Sequence, residues 1–222
     1  MVKGNPFMEM QVPATDADKR PKVPYSDDDL IKLLTGLLSV RKRVEPHRFW
    51  VPLVALYTGM RQSEICQLRV SDIENDGIVV FRIRHNPTMR QTTKARKHRT
   101  CPVHPMLKRL GFMDYLEQQR VAGHDRVFPT LTYSTGKGWT GKIRTWWNET
   151  FQAGLLEDTA GKSFHSLRKS FINQFKQSGL YETYSDRSVV QSMVGHDEDD
   201  VTGEYYETHY CPVKFSSAYS NL

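Results

Sequence analysis

The segment FHSLRKSF, residues 164–171, interleaves apolar and charged residues at the spacing of a helix. Side chains three or four positions apart share one face of an α-helix. His165 and Arg168 stand three apart, so a helix would point both toward the same side. Taken alone, such a pair is the polar edge of an amphipathic helix, which is the ordinary arrangement. The remaining residues would form its apolar face: Phe164, Leu167 and Phe171.

Composition bounds the class of protein. The 222 residues, 38% of them hydrophobic, suffice for one large domain or for a domain with extensions. No stretch reaches the ~18 apolar residues that a membrane span requires, and the N-terminus has no apolar core of a secretory signal. Three widely spaced cysteines are typical of reduced thiols in a cytoplasmic protein rather than of a disulfide framework. They are Cys66, Cys101 and Cys211.

The distribution of charge indicates the kind of partner. A formal net charge of +6 favours a polyanion, and nucleic acid is the commonest one. Residues 82–109 are dense in Arg, Lys and His, whereas acidic residues cluster at 26–29 and 197–200. The basic stretch is therefore the expected nucleic-acid contact.

The pattern of elements predicts an α+β fold that is mainly α-helical with one small antiparallel sheet. Ser26 and the three aspartates after it resemble a capping box that opens a helix through about Val40. Strands at 78–84 and 98–103 would form a hairpin with a basic connection, 85–97. Further helices are predicted at 47–58, within 61–73, from Pro105 through residue 120, and at 143–153, 165–177, 186–193 and 201–207.

Two other motifs are incomplete, one for binding a nucleoside triphosphate and one for binding a metal ion. Residues 136–142, GKGWTGK, resemble the first part of a phosphate loop, but Ile143 stands where Ser or Thr should hold a metal. Cys101 and His104 have a spacing that suits a metal ion, but no second pair lies at zinc-finger distance. We therefore expect neither a nucleoside-triphosphate site nor a metal site.

Four separated segments combine cationic or nucleophilic residues. They are TGMRQSE at 58–64, TTKARKHR at 92–99, HSLR at 165–168 and GHDEDDVTGEYY at 195–206. Each alone has an ordinary structural explanation, such as a surface arginine, a solvated lysine, a helix-capping histidine or a core tyrosine. Together and in this order they resemble the catalytic domain of the tyrosine recombinases, the phage-integrase family. The resemblance spans about residues 25–210.

This resemblance implies the tyrosine-recombinase catalytic-domain fold and a set of site residues. Its catalytic residues would be Arg61, Lys94, His165, Arg168, His196 and the nucleophile Tyr205, with Tyr206 as the alternative nucleophile. Its DNA-binding residues would be Arg90, Lys94, Arg96, Lys97 and Arg99. No metal and no cofactor is implied. Lys169 departs from the family pattern, because a second histidine often stands at that place.

The implied function is that of a site-specific DNA recombinase, or integrase. Such an enzyme cleaves and rejoins strands through a covalent 3′-phosphotyrosyl intermediate, and so integrates or excises a mobile element. Its expected partners are double-stranded DNA and further copies of itself in a tetrameric synapse, with no membrane. The expected location is the cytoplasm, for a protein encoded by a bacterium or a phage. Two alternatives remain open: a DNA-relaxing enzyme of the type IB topoisomerase kind, and a catalytically silent DNA-binding module.

The expected domain organisation has three parts. Residues 1–24 are polar, carry four prolines and are expected to form an extended arm, the remnant of a linker. Residues 25–210 would form the catalytic domain. Residues 211–222 would be a tail that docks on a neighbouring protomer, as C-terminal segments do in this family.

Overall fold

The structure is a computed structural model that describes residues 22–40, 44–178 and 184–195. Its helices are α1 (Asp27–Leu38), α2 (Pro46–Thr58), α3 (Gln62–Cys66), α4 (Pro105–Arg109), α5 (Phe112–Val121), α6 (Gly141–Thr145), α7 (Phe164–Gln177) and α8 (Tyr184–Val194). Its strands are β1 (Ile73–Asp76), β2 (Ile78–Ile83) and β3 (Arg99–Pro102). The predicted helix at 201–207, the arm through residue 21 and the tail lie outside the described residues. No helix in the described ranges is long and apolar enough to cross a membrane.

Helix α2 lies at the centre of the core. Its sequence is apolar on all sides, and such helices are buried rather than amphipathic. Trp50, Val51 and Val54 have no exposed surface, and the Trp50 ring meets the Phe112 ring of α5 edge to face at 5.1 Å. Helix α7 packs along α2. The predicted apolar face of α7 is confirmed, since its three members are 2–4% exposed.

The sheet is antiparallel, with strand order β1-β2-β3. The predicted hairpin is confirmed in β2 and β3, where Phe81 lies opposite Cys101. Strand β1 was not predicted, because its four residues, IEND, include polar types that are depleted in strands. The fold class, mainly helical with a small antiparallel sheet, is confirmed.

Two predicted helices differ from the structure. The single helix expected from Pro105 through residue 120 is wrong: α4 ends before Gly111, whose φ of 84° breaks the helix before α5 begins. The Trp-rich helix begins two residues earlier than predicted, at Gly141. It continues as a π-helical turn over Trp146–Phe151, a winding that sequence periodicity does not reveal.

The junction between α2 and α3 sets the direction of Arg61. Thr58 Oγ1 accepts a hydrogen bond from the Met60 backbone N–H at 3.2 Å, and Gly59 adopts a left-handed φ of 64°. A Cβ on Gly59 would lie 2.5 Å from Phe171 of α7 and 2.8 Å from Val194 of α8. Glycine is therefore required at position 59 for two reasons: its left-handed backbone angle, and the close approach of α7 and α8.

We predict that Gly59→Ala is clearly more destabilising than Gly77→Ala. Both glycines have positive φ, so alanine costs about 1–2 kcal/mol at either site. Only Gly59 has side chains where the new methyl would go, which adds about 1–3 kcal/mol. Urea unfolding of the two variants measures the difference. Equal losses of unfolding free energy would contradict the packing at the α2–α7–α8 junction.

Candidate active site

Arg61 begins α3 and turns its side chain toward the end of α8. Its backbone N–H donates to Glu64 Oε2 at 2.9 Å, which satisfies one of the donors left free at a helix start. Its guanidinium donates from Nη1 to Glu64 Oε1 at 3.2 Å and from Nη2 to the Gly195 carbonyl at 2.8 Å. One fifth of the side chain stays exposed, so Arg61 remains within reach of a ligand.

Arg168 extends from α7 to the same end of α8 that Arg61 contacts. It is almost fully buried, with 2% of its surface exposed. Its Nη1 donates to the carbonyls of Gly59 at 2.6 Å and Val194 at 2.5 Å. Within the described residues, its Nε and Nη2 are buried without a hydrogen-bond partner. Burial, with a further contribution from the charge of Arg61, lowers the pKa of Arg168 to about 9. The group is therefore still a cation at neutral pH, with two donors available for an anion.

Glu64 is the carboxylate that these cations share. Its side chain has no exposed surface, and it accepts two hydrogen bonds from Arg99, from Nη1 at 2.9 Å and from Nη2 at 2.5 Å. Burial alone would raise the pKa of Glu64, but the bonds and charges of Arg99 and Arg61 outweigh it and hold the pKa below its usual value. Glu64 is thus ionised, and one negative charge stands among three positive ones.

Arg61, Arg99 and Arg168 all donate hydrogen bonds to carbonyls at the C-terminal end of α8. The carbonyl of Met193 accepts from Arg99 Nε at 3.1 Å, that of Val194 from Arg168, and that of Gly195 from Arg61. The last carbonyls of a helix lack intrahelical partners and carry partial negative charge, so cations stabilise them. The end of α8, after which the sequence continues to His196, is therefore fixed to the arginine cluster.

His165 lies at the edge of this cluster. Its ring is exposed on α7 but is flanked closely by protein, and this partial desolvation lowers its pKa. The positive charges of Arg168, Lys169 and Arg61 lower the pKa further. Lys169, which stands where the family often has histidine, donates from Nζ to the carbonyl of Lys22 at 2.6 Å. This hydrogen bond joins Lys22, the first described residue, to α7.

Lys94 lies apart from the arginines, exposed in the turn of the basic connection between β2 and β3. It shares no hydrogen bond with the cluster in the described part of the chain. The connection is nevertheless tethered to α3, because Gln67 donates to the Thr92 carbonyl at 3.0 Å and accepts from the Thr92 N–H at 2.8 Å. Gln67 directly follows α3. The loop that carries Lys94 is therefore anchored to the helix that begins after Arg61.

The five residues predicted to bind DNA fall into two groups. Arg90, Lys94, Arg96 and Lys97 are exposed on the connection between β2 and β3. Arg99 differs, because its side chain is only 12% exposed and each of its guanidinium nitrogens donates to Glu64 or to Met193. The structure therefore brings Arg61 and Arg168 together at the end of α8 and adds Arg99 to them, with His165 three residues before Arg168 on α7.

Sequence reasoning missed this place for Arg99, although the strand offered a clue. Side chains two apart on a strand share a face, and Cys101 and Val103, which follow Arg99 at that spacing, are buried. An arginine on the inward face must have a buried anion, and Glu64 is that anion. His196, Tyr205 and Tyr206 lie outside the described residues. Within those residues, no group of three or more His, Cys, Asp or Glu could hold a metal ion.

A cluster of guanidinium groups with open donors, beside a basic hairpin, has a geometry and charge that match phosphate oxygens. The chain belongs to the phage integrase family, whose model matches residues 27–210. A curated relative, tyrosine recombinase XerD of Chlamydia trachomatis, is 30% identical over 154 residues. The aligned part covers 67% of this chain and 44% of that protein.

Solved structures share the fold. XerH site-specific recombinase bound to difH substrate, in a pre-cleavage complex, aligns with a TM-score of 0.52 at 19% identity, over 91% of this chain and 55% of that one. A lambda integrase tetramer bound to a Holliday junction aligns with a TM-score of 0.51 at 18% identity, over 82% and 49%. The chain thus spans about half the length of these relatives.

We predict that Glu64→Gln destabilises the protein by about 3 kcal/mol at pH 7, because it leaves buried guanidinium groups without their anion. Glu74→Gln is the matched control. Its carboxylate also pairs with two arginines, Arg82 and Arg84, but is partly exposed, so the loss should stay below about 1 kcal/mol.

The effect of Glu64→Gln should also depend on pH. The pKa of Glu64 is lower in the folded protein than in the unfolded chain, so its contribution is fully present above about pH 5, beyond the unfolded pKa of ~4.3. It is lost as the pH falls through the folded pKa. Urea unfolding from pH 7 to pH 3 measures this. A wild-type advantage that grows toward acid would contradict an ionised, paired Glu64.

Proposed function

We propose that this protein is a site-specific DNA recombinase that cleaves and rejoins DNA strands through a covalent 3′-phosphotyrosyl intermediate, in the integration or excision of a mobile element. One observation carries the proposal. The guanidinium groups of Arg61 and Arg168 both donate to the Val194 carbonyl, and Arg168 Nε and Nη2 are buried without a hydrogen-bond partner among the described residues. Membership of the phage integrase family supports the same reaction.

The arginines supply the charge that the reaction needs. A phosphodiester is already an anion, and attack on phosphorus adds negative charge to its non-bridging oxygens. Planar guanidinium forks match two such oxygens better than ammonium groups do. The net charge of the cluster is +2, since three guanidinium groups surround one carboxylate. Fixed donors aimed at developing charge are usually the largest catalytic contribution.

The other proposed catalytic residues transfer protons, form the covalent bond to DNA and bind the phosphate. The hydroxyl oxygen of Tyr205 attacks phosphorus and gives its proton to His165, whose lowered pKa keeps the imidazole neutral and able to accept it. The bond from phosphorus to the 5′ oxygen breaks, and that oxygen takes a proton from Lys94. His196 donates a hydrogen bond to a phosphate oxygen. A 5′-hydroxyl of another strand reverses these steps, so rejoining requires no ATP.

The basic connection between β2 and β3 is the proposed DNA contact. Arg90 and Arg96 have positive φ values of 56° and 57°, which no other non-glycine residue has in the described ranges. A left-handed conformation costs such residues about 1–2 kcal/mol, and backbone strain of this kind concentrates at functional sites. Both residues are exposed, and the Arg90 guanidinium lies over the Tyr133 ring with Cζ 4.6 Å from its centroid, so the connection holds two cations at the surface, where the duplex would lie.

Relatives suggest how the protein assembles. A lambda integrase tetramer has been solved on a Holliday junction, and we propose that this chain likewise acts as a tetramer on two duplexes. Residues 25–210 would form the catalytic domain, residues 1–24 the arm that leads into it, and residues 211–222 a tail that docks on a neighbouring protomer. A bacterial relative supports action in the cytoplasm of a bacterium.

The covalent intermediate gives the most direct test of this function. Incubation with a randomised pool of nicked duplexes, followed by a denaturing gel, should give a protein–DNA adduct. Tyr205→Phe should abolish the adduct, and the matched Tyr206→Phe should retain it. Arg168→Lys, which keeps the charge and loses the fork, should slow adduct formation about 100-fold or more.

Other outcomes decide between the alternatives. The reverse pattern of loss would move the nucleophile to Tyr206. Adduct formation with relaxation of supercoiled plasmid, but with no enrichment of a sequence in the adducts, would favour the type IB topoisomerase kind of enzyme. Binding to duplex without an adduct from any member of the pool would favour a catalytically silent DNA-binding module and contradict the recombinase.

We predict that Arg90→Ala and Arg96→Ala together reduce the salt dependence of duplex binding. Each phosphate contact that is lost lowers the slope of log affinity against log salt by about 1. The double variant should therefore reduce the slope by about 2, in fluorescence-anisotropy titrations between 50 and 200 mM salt. Arg120→Ala with Lys32→Ala is the control, since both side chains are exposed on helices α5 and α1, outside the basic connection. An unchanged slope in the Arg90/Arg96 variant would remove the connection from the DNA interface.

A further inference from the structure

Arg99 sits at the point where three parts of the site meet. It belongs to β3, the strand that closes the basic connection carrying Lys94. Its guanidinium binds Glu64, next to Arg61 in α3, and the Met193 carbonyl at the end of α8. A Cβ on Gly195 would lie 2.9 Å from Arg99 Cζ, so the guanidinium is also packed flat against the backbone there. One side chain therefore joins the hairpin, α3 and the end of α8.

The contacts of Arg99 commit every nitrogen of its guanidinium group to the protein. Nε, Nη1 and Nη2 each donate to an oxygen of the protein, at 3.1, 2.9 and 2.5 Å. The side chain is 12% exposed, compared with 21% for Arg61. These contacts favour an action of Arg99 on the substrate through its neighbours.

Glu64 is the neighbour through which Arg99 can act. Oε1 accepts from Arg99 Nη1 at 2.9 Å and from Arg61 Nη1 at 3.2 Å, so the two guanidinium groups compete for the same oxygen. Arg99 holds the shorter, bidentate pair, whereas the Arg61 side chain holds one longer bond and the Arg61 backbone N–H donates to Oε2 at 2.9 Å. Without Arg99, the carboxylate would be free to form a two-pronged pair with Arg61 and to neutralise it.

We propose that Arg99 is a positioning residue whose fork on Glu64 keeps Arg61 charged and directed toward the scissile phosphate. The proposal rests on the recombinase function proposed above. Arg99 raises the net charge of the cluster from +1 to +2, which the anionic transition state requires. It also fixes the end of α8 relative to β3, because Nε holds the Met193 carbonyl.

The test measures binding and cleavage separately in variants of Arg99. The substrate is a nicked duplex on which the wild-type protein forms its covalent adduct. Single-turnover cleavage is followed at saturating DNA, and Kd is measured by fluorescence anisotropy at the same salt concentration. The matched control is Arg82→Gln, which removes a guanidinium paired with Glu74 at 2.7 Å on the exposed side of the same sheet.

We expect Arg99→Gln to slow cleavage about 10- to 100-fold, the usual effect of losing a group that orients a catalytic residue. Its Kd should stay within about 3-fold of that of Arg82→Gln, since both variants lose one positive charge. Arg99→Lys keeps the charge and loses the fork, so its cleavage rate should fall between those of wild type and Arg99→Gln. If Arg99→Gln does not fold, as judged by its thermal transition, the comparison of Arg99→Lys with Arg82→Lys decides in the same way.

A double variant separates positioning from a purely structural role. Glu64→Gln together with Arg99→Gln removes both members of the pair and restores a net charge of +2 around the phosphate. The double variant should therefore cleave at least about 3-fold faster than Arg99→Gln alone. A methylphosphonate at the scissile position, which has one fewer anionic oxygen, should also shrink the defect of Arg99→Gln.

Three results would overturn the inference. They are a cleavage rate for Arg99→Gln equal to that of Arg82→Gln, a rise in Kd of 10-fold or more with cleavage unchanged at saturation, and a double variant slower than Arg99→Gln. The second would restore Arg99 to the DNA-binding set that the sequence predicted. If the wild-type protein forms no adduct on any duplex, the recombinase function itself fails, so the two failures are distinguishable.

Discussion

Burial of the Glu64 carboxylate is the constraint on which the rest of the site depends. An ion that is removed from water must be paired and fully hydrogen-bonded, or the fold pays several kcal/mol for it. Glu64 meets this requirement with the fork of Arg99 and with both the backbone and the side chain of Arg61. The pairing brings two guanidinium groups together, although like charges repel each other. The carboxylate is thus what allows positive charge to accumulate at one place.

The end of α8 is the second requirement for the cluster. Three helix carbonyls accept from the three arginines, which spreads the positive charge over polar oxygens without cancelling it. Gly59 makes this approach possible, because its carbonyl accepts from Arg168 and its missing side chain lets Phe171 and Val194 come close. Backbone geometry at one glycine therefore sets the distance between α2, α7 and α8. The positions of Arg61 and Arg168 follow from it.

The elements with strong local patterns were predictable from the sequence. The capping box at Ser26, the buried α2 and the apolar face of α7 all follow from spacing and composition, and the structure confirms them. The break at Gly111, the π-helical turn after α6 and the polar strand β1 were missed. The break follows from the left-handed backbone of Gly111, sequence periodicity does not reveal a π-helical turn, and polar residues such as those of β1 are depleted in strands.

Part of the candidate site could likewise be predicted from the sequence, and part of it could not. A resemblance of motifs in order pointed to Arg61, Arg168 and His165. In the structure both arginines donate to the Val194 carbonyl, and His165 lies three residues before Arg168 on α7. The position of Arg99 depends on a contact with Glu64, 35 residues away in the sequence, and no local pattern states which carboxylate a buried arginine meets. Only the spacing of two residues between Arg99 and the buried Cys101 on β3 indicated that Arg99 faces inward too.

The arginine cluster is the proposed binding site for the scissile phosphate. A crystal structure of the Tyr205→Phe variant bound to uncleaved duplex would locate that phosphate. Arg168 should keep its Nη1 bonds to Gly59 and Val194 while its Nε and Nη2 bind non-bridging oxygens of one phosphate. Arg61 should bind the same phosphate, and Arg99 should stay on Glu64. A phosphate seated elsewhere, or bound by Arg99 in place of Arg61, would show that the cluster does not bind it in this way.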